Sequence, residues 1–343
     1  MKNCQKTTTT PPDADNPLTM QKRFLLLAVA IVAVLSLATP ARVHAQSSPA
    51  LLLKPWEAAG AAETLTEGMI AQQGHVQSNG NHFQFSDVES DGRFRLFPGK
   101  EASPRFGYDV TFINANTSQP NFPHQLLDSS VGFGSFLGIS NGWVFGAQAG
   151  IGYAGSSPFG EGRGWYARGS FIVAKKFDEQ NALGVGLDYD GHRSYLPDTP
   201  LPGFAFSHTF DPHWDMVIGA PLSSIIWKPN DQWRFYLDWL LLSDLDFNVV
   251  YKVTKQFDLF ASFETRRDQF WIHELGDHNR LLYLQRRVEG GLSWEPKKDL
   301  RFTAVIGYAF STDFRFGWDY RQTSPYLYAS NEPYIRFGMD FKF

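Results

Sequence analysis

Apolar and polar residues alternate with a period of two along most of this chain, from about residue 104 to residue 343. In the run 143–153, for example, Trp143, Phe145 and Ile151 share one face, and glycines and Gln148 occupy the other. A β-strand places successive side chains on opposite faces, whereas an amphipathic helix needs apolar residues three or four positions apart. The repeated pattern therefore predicts an all-β protein, and the 15% aromatic content suits strands better than helices.

The links between these alternating runs differ in length in a regular order. Short and long links alternate along the chain, with one exception near residues 243–244. A membrane barrel has this arrangement, because tight turns lie at one end and long loops at the other. We therefore predict a transmembrane, antiparallel, up-and-down β-barrel of about 12 strands, within a range of roughly 10–14. The predicted long links are 114–126, 154–162, 190–213, 266–280 and 312–332.

Charged residues occur on the polar face of the strands after residue 232, six of each sign. Unpaired ions in a dry core cost several kcal/mol each, so these charges predict a hydrated lumen. The apolar face must then contact lipid, with tryptophans near the strand ends at the membrane interfaces. Tyr236, Phe260 and Tyr283 are large inward residues that narrow this lumen. The candidate lumen-lining residues are Arg234, Asp238, Asp258, Glu264, Arg287, Glu289, Arg301, Arg336 and Asp340.

The N-terminal residues predict an export signal. Lys22 and Arg23 precede an apolar stretch at 24–38, and small residues precede a candidate cleavage site before Gln46. This stretch of 15 residues is shorter than the ~20 that a spanning helix needs. We assign residues 1–45 to a cleaved signal with Met20 as the candidate start, 46–81 to a periplasmic leader and 82–343 to the barrel. Residues 82–97 either add a strand pair or lie inside the lumen.

Charge and cysteine content exclude several classes of protein. The net charge is −4 and the sequence has no basic stripe, which argues against nucleic-acid binding. The single cysteine, Cys4, lies in the predicted signal, so the exported chain would have no disulfide and no thiolate chemistry. The abundance of aromatic residues and the low net charge also exclude a disordered chain.

The final alternating run is the most specific signal in the sequence. Five apolar residues up to Phe343 alternate with charged residues or glycine. This run resembles the last strand of bacterial outer-membrane barrels, and residues 82–343 resemble an uncharacterised family of predicted outer-membrane barrels. The resemblance implies an outer-membrane location, contact with membrane lipid, and recognition by periplasmic chaperones and the barrel-assembly machinery. It implies no activity. The candidate assembly signal is Ile335, Phe337, Met339, Phe341 and Phe343.

Histidines and serines in the predicted outer loops are the candidates for chemistry. The zinc-protease motif needs two histidines four positions apart on a helix, and the pair His273 and His278 lacks that spacing. Ser207 and His208 supply the residue types of a hydrolase, but no nucleophile motif surrounds them. We therefore predict no metal site, no catalytic residue and no cofactor. The loop residues concerned are His192, Ser194, Ser207, His208, Asp211, His213, Asp215, His273 and His278.

These patterns favour a channel or transport protein with a narrow or plugged lumen, for small or apolar solutes. A barrel of about 12 strands lies between the ~8-strand type, which side chains fill, and the 16–18-strand type with a wide aqueous channel. The alternative is a non-conducting structural or adhesive barrel, or a lipid-modifying outer-membrane enzyme. The sequence leaves the solute and the oligomeric state open.

Overall fold

The computed structural model describes residues 50–53, 60–100, 102–240, 244–272 and 279–343. The predicted export signal and the candidate residues His273 and His278 lie outside this part of the chain. Among the described residues, no helix is long and apolar enough to cross a membrane.

Strands account for most of the described chain, and one short helix, α1 (Ala50–Leu53), precedes them. The strands are β1 (Ala62–Ala71), β2 (Gly74–His75), β3 (His82–Arg95), β4 (Arg105–Thr117), β5 (Gln125–Ser140), β6 (Trp143–Gly155), β7 (Trp165–Lys176), β8 (Asn181–Asp190), β9 (Leu201–Asp211), β10 (Trp214–Ala220), β11 (Leu222–Trp227), β12 (Trp233–Leu240), β13 (Asp244–Lys252), β14 (Phe257–Trp271), β15 (Arg280–Lys297), β16 (Leu300–Gly317), β17 (Thr323–Tyr328) and β18 (Glu332–Lys342).

Sixteen of these strands close into one antiparallel barrel. The ring runs from β1 to β3, continues through β16, passes to β18, and returns to β1. The short strands β2 and β17 only extend their neighbours β3 and β16. Closure gives each barrel strand two partners, which is what a sheet in lipid requires of its backbone groups. The prediction of about 12 strands is therefore wrong.

Two of the additional strands show why that count was too low. The strand β1 carries Thr64, Thr66 and Gly68 at alternate positions, and the second and third residues of β9 are Pro202 and Gly203, a pair typical of loops, within the predicted long link 190–213. Their positions come from their partners: β1 forms ladders with both β18 and β3. The barrel accordingly begins at Ala62. This residue lies within the segment 46–81, which the sequence pattern assigned to the periplasmic leader.

The links divide the barrel into two ends. Short turns join β5 to β6, β7 to β8, β9 to β10, β11 to β12, β13 to β14 and β15 to β16, and they define the short-turn end. The links at 118–124, 156–164, 191–200 and 318–331 lie at the opposite end, which we call the long-loop end. Of the loop histidines, His208 and His213 lie near the β9–β10 turn, at the short-turn end rather than in an outer loop.

Large apolar side chains cover the outside of the barrel. The five candidate assembly residues, from Ile335 to Phe343, are between 39% and 62% exposed, whereas Arg336 between them is buried. The same contrast is present in β6, where Trp143, Phe145 and Ile151 are exposed and Gln148 is buried. An apolar outer surface around a charged interior is the arrangement of a membrane-spanning barrel.

One hairpin leaves the wall and enters the barrel. Residues 280–285 of β15 are buried on both faces, and Leu281, Leu282 and Tyr283 are each 0% exposed. A strand in the wall exposes every second side chain, so this part of β15 must lie inside. The strand beside it ends at Trp271, which pairs with Gly155 of β6. Because β6 is eight strands from β14 in either direction round the ring, the inserted hairpin (residues 265–271 and 280–285) reaches the opposite wall.

The inserted hairpin forms an apolar core inside the long-loop end. Its residue Tyr283 stacks on Phe85 of β3 with ring centroids 5.3 Å apart, and Phe122 packs edge-on against Phe314 at 4.9 Å. Burial of each large apolar side chain stabilises the fold by roughly 1.5–3 kcal/mol. This core therefore closes the long-loop end. Leu282 is also buried, although alternation places it on the lipid side, because its part of β15 lies inside the barrel.

Candidate functional site

A central cavity of about 350 Å³ lies in the lumen below the inserted hairpin. Eight carboxylates line it, against three arginines and one histidine. Confined charges of one sign set the ion preference of a pore, so this lining favours cations. The carboxylates are Glu89, Asp109, Asp128, Asp238, Asp244, Asp246, Glu264 and Asp268, and the basic residues are Arg168, His192, Arg266 and Arg267.

Three of the cavity carboxylates form a row across adjacent strands. Asp238 of β12 lies directly opposite Asp246 of β13, and Asp246 lies opposite Glu264 of β14. Cross-strand neighbours on one face of a sheet have Cβ atoms about 5 Å apart, and like charges at this distance repel. A bound cation would lower that repulsion.

The opposite wall of the cavity combines acidic groups with one arginine. The guanidinium of Arg168 lies 3.2 Å from an Asp190 carboxylate oxygen and 3.7 Å from an Asp109 oxygen. The Asp128 carboxylate accepts a 2.6 Å hydrogen bond from the Tyr166 hydroxyl and lies 3.2 Å from His192 Nε2. These contacts hold the side chains of β4, β5 and β7 in place at the cavity surface.

Ion pairs also cross the lumen between strands that are not neighbours. The Arg266 guanidinium of β14 contacts the carboxylates of Asp87 and Glu89 on β3, five strands away round the ring, and lies 2.7 Å from Asp268. Arg287 of β15 lies 3.9 Å from the same two β3 carboxylates. These cross-lumen ion pairs brace the barrel and fill the part of the lumen beside the cavity.

A second buried cluster lies beside these cross-lumen pairs. Arg336 of β18 contacts the carboxylates of Glu67 on β1 and Glu289 on β15. Glu289 also accepts hydrogen bonds from the hydroxyls of Tyr334 at 2.6 Å and Ser262 at 3.1 Å. Charge-assisted hydrogen bonds of this kind satisfy a buried carboxylate.

The short-turn end is narrowed by the helix α1. Its carbonyl groups at Leu51 and Leu52 accept hydrogen bonds of 3.2 and 3.0 Å from Arg105, which lies at the start of β4. Both leucine side chains are buried, and Leu52 packs beside Gly134 and Gly146, where a Cβ atom would crowd it. The absence of side chains at these two glycines leaves the space that α1 occupies.

Residues 106–339 match the family described as a domain of unknown function, DUF6268. The chain belongs to this family. No curated protein matches it. Among solved structures, the chain is similar to the toluene transporter TodX of Pseudomonas putida, with 11% identity, 89% of this chain and 94% of that chain covered, and a TM-score of 0.41. An outer-membrane channel of Pseudomonas putida F1 gives 10% identity, 89% and 99% coverage, and a TM-score of 0.37. The translocator domain of the autotransporter NalP of Neisseria meningitidis is 10% identical, with 82% of this chain and 88% of that chain covered and a TM-score of 0.31.

The candidate lumen residues occupy three places in this DUF6268 barrel. Asp238 and Glu264 line the central cavity. Arg287, Glu289 and Arg336 are buried in the ion-pair clusters beside it. The other four lie near the short-turn end. Arg234 is near the start of β12, and Asp258 lies opposite Lys252. Asp340 lies opposite Arg301, which is half-exposed and 3.1 Å from Glu295.

Several residues of the site are absent from the candidate set. Asp87 and Glu89 lie at alternate positions in β3, as inward residues of a wall strand do. The sequence alone did not distinguish a strand pair from a lumen segment at 82–97. Arg266 falls in the predicted loop 266–280, because the alternation of β14 becomes irregular where the strand leaves the wall. Asp128 and Arg168 lie on strands outside the region after residue 232 from which the candidates were drawn.

Ser207 and His208 do not form a nucleophile–base pair. Ser207 is buried inside the barrel, whereas His208 lies on the other face of β9, where its ring packs against Phe210 and its Nδ1 is 2.7 Å from the Asn181 amide oxygen. A nucleophile and its base must be within hydrogen-bond distance, which opposite faces prevent. Within the described ranges, no group of three or more histidine, cysteine or acidic residues could hold a metal ion.

A loop of this DUF6268 barrel holds the inserted hairpin from above. Tyr320, between β16 and β17, donates its hydroxyl to the Tyr283 carbonyl, and its backbone N–H donates to Ser194 at 3.2 Å. Asp319 accepts hydrogen bonds from Arg321 and from the Leu196 backbone. Burial acts to raise the pKa of Asp319, but these hydrogen bonds outweigh burial and leave the pKa below its usual value.

Proposed function

We propose that this protein is a narrow outer-membrane channel for small cationic solutes. The observation that carries the proposal is the central cavity, which lies in the lumen of a sixteen-strand barrel and has twice as many carboxylates as basic groups. The apolar outer surface supports a membrane location, and the charged lining favours small polar cations over apolar solutes. Barrels of 16–18 strands leave a wide aqueous channel unless something fills them. Here the inserted hairpin, the cross-lumen ion pairs and α1 leave a much smaller space.

The test is conductance of the purified, folded protein in planar bilayers. We expect small conductance steps, well below those of an open barrel of sixteen strands, and a reversal potential that shows cation preference in a salt gradient. Heat-modifiable migration on gels provides the control that the barrel is folded. Large steady conductance, anion preference, or silence of a folded barrel would each contradict the proposal.

We also propose that β18 carries the recognition signal for barrel assembly. Four outward apolar residues of β18 and Phe343, which follows the strand, form a continuous stripe that neighbouring strands leave exposed. Replacing Phe341 and Phe343 with aspartate should leave an exported protein that fails to assemble, because the aspartates remove the apolar stripe from the end of the strand. The measurement is heat-modifiable protein in the outer-membrane fraction. The matched control is Lys342→Asp, which adds the same side chain on the inward face. Normal assembly of the double variant would refute the proposal.

A further inference from the structure

Carboxylates line the central cavity on opposite sides of the barrel. Asp128 lies on β5 and Asp246 on β13, and these two strands are eight apart in either direction round the ring of sixteen. Asp268 of the inserted hairpin lines the same cavity. The negative charge is therefore distributed over the walls of the cavity rather than gathered at one point.

This distribution suits a cation whose charges are themselves separated. A metal ion such as calcium or magnesium is a point charge that draws several oxygen ligands to within about 2–2.6 Å of one centre. In the part of the chain that the structure describes, no three histidine, cysteine or acidic side chains converge in that way. A linear organic polycation carries its charges along a chain, so each charge can lie beside a different carboxylate.

The charge and the volume of the cavity limit the valence and the size of such a ligand. Counting His192 as charged, the lining has eight carboxylates against four basic groups, an excess of four negative charges. One molecule with two or three positive charges neutralises more of this excess than a single charge does, and only one ligand has to be ordered. The cavity of about 350 Å³ lies at the lower end of the ~300–1,000 Å³ typical of small-molecule sites. The ligand that fits is therefore small and carries more than one positive charge.

A buried amide at the top of the cavity indicates the type of cationic group. Gln269 of the inserted hairpin lines the cavity and is only 1% exposed. Its side-chain nitrogen donates a 2.9 Å hydrogen bond to the Arg193 carbonyl, and its side-chain oxygen has no hydrogen-bond partner among the described residues. A buried acceptor without a donor is destabilising. An ammonium group with N–H bonds can supply that donor, whereas a quaternary ammonium group cannot.

Apolar groups of the lining match a hydrocarbon spacer between two amino groups. Leu222 of β11 and Leu240 of β12 form a cross-strand pair that lines the cavity, and Asp238 lies two residues before Leu240. Alternate residues of a strand share a face, so the leucine pair and this carboxylate lie side by side on one wall. Methylene groups of a ligand would cover the leucines while an amino group at the end of its chain reaches the carboxylate.

We propose that the central cavity binds linear polyamines, which are alkyl chains that carry two or more protonated primary or secondary amino groups. Carboxylates on opposite walls neutralise the separate charges, the leucine pair contacts the spacer, and the Gln269 side-chain oxygen accepts a hydrogen bond from an ammonium N–H. This inference rests on the proposed function, because it names the class of cation that the channel would pass. Binding is measured separately from conduction, so the two proposals can fail independently.

The test compares three probes that differ in one property at a time. We would titrate the folded protein in a non-ionic detergent by calorimetry with cadaverine, pentylamine and hexamethonium. Pentylamine has the five-carbon chain of cadaverine but one charge, and hexamethonium has two charges but no N–H group. Cadaverine should bind about tenfold more tightly than pentylamine, or ~1.4 kcal/mol, and more tightly than hexamethonium. Equal affinity of cadaverine and either of the other probes would overturn the proposal.

Substitutions assign the affinity to the cavity. Asp238→Asn combined with Asp246→Asn should weaken the binding of cadaverine more than that of pentylamine, whereas Glu179→Gln in the exposed β7–β8 turn should change neither. Gln269→Met keeps the size of the side chain but removes its oxygen, so it should reduce the preference for cadaverine over hexamethonium. Gln180→Met, in the same exposed turn, is the matched control. Unchanged preferences in both cavity variants would place the bound diamine elsewhere and overturn the proposal.

Conductance in planar bilayers separates this inference from the proposed function. Cation-selective conductance by a folded protein that binds no cadaverine would retain the channel and overturn the polyamine site. Cadaverine binding that depends on the cavity, in a folded protein that is silent in bilayers, would retain the polyamine site and overturn the channel.

Discussion

Replacing Arg266 with alanine is expected to lower the free energy of unfolding by about 3–5 kcal/mol, the usual cost of removing one partner of a buried ion pair. Arg266 contacts Asp87, Glu89 and Asp268, and both Arg266 and Asp87 are almost completely buried. Without the guanidinium, three carboxylates face one another in a confined space, and the Arg287 guanidinium lies 3.9 Å from Asp87. Equilibrium denaturant unfolding in phospholipid vesicles measures the change.

The matched control for this substitution is Arg301→Ala. Arg301 also pairs with a carboxylate, Glu295 at 3.1 Å, but its side chain is 43% exposed near the short-turn end. Exposed ion pairs contribute about 0–1 kcal/mol, so this variant should unfold almost as the parent does. The double variant Arg266→Ala, Asp87→Ala should recover part of the loss, because one uncompensated charge is removed. Equal costs for Arg266→Ala and Arg301→Ala would mean that the cross-lumen pairs do not brace the barrel.

Neutralising the carboxylate row should shift the ion selectivity of the proposed channel. In the variant Asp238→Asn, Asp246→Asn, two of the eight cavity carboxylates lose their charge while keeping their size and hydrogen-bonding oxygen. A unit charge about 8 Å from a permeating cation contributes roughly 0.5–2 kcal/mol at an effective dielectric constant of 80–20. The preference for cations over anions should therefore fall by at least about twofold per charge, and the reversal potential in a potassium chloride gradient should move toward zero.

The control for this variant is Glu179→Gln, which removes one carboxylate in the exposed β7–β8 turn, away from the cavity. Screening by salt makes such a distant charge nearly invisible to an ion in the lumen, so its reversal potential should match that of the parent. An unchanged reversal potential in the Asp238, Asp246 variant, with conductance intact, would show that ions take a path outside the central cavity.

The sequence could predict which face of a strand a residue occupies, because side-chain direction depends only on position within that strand. Each strand in the wall alternates its side chains between lipid and lumen, so Arg336 and Phe337 could be assigned to opposite faces from their positions alone. The same argument places Asp238 and Glu264 inside, and both line the cavity. Alternation could not show which of these charges meet. Arg266 and Asp87 are 179 residues apart in the chain and come together only because the closed ring places β3 and β14 across the lumen from one another.

The count of strands failed for a related reason. A strand with threonine and glycine on its outer face, such as β1, has a weak pattern of its own and is held by ladders to β18 and β3. Hydrogen bonding to two neighbours fixes the position of this strand although its apolar alternation is weak, because strand formation depends strongly on tertiary context. Pro202 and Gly203 similarly suggest a loop, yet β9 is held between β8 and β10.

The alternation along the chain by itself determined that this protein is an all-β membrane barrel with charged residues inside, because side-chain direction in a strand is a local property. Tertiary structure alone decided the number of strands, the cross-lumen ion pairs and the position of the β14–β15 hairpin. Leu282 and Leu284 alternate as lipid-facing residues do, and nothing local distinguishes them from Val288 or Leu292 in the wall. They are buried because the β14–β15 hairpin bends into the lumen where β14 leaves β13 after Glu264, and the end of β14 reaches β6. Only the folded ring defines which wall lies opposite.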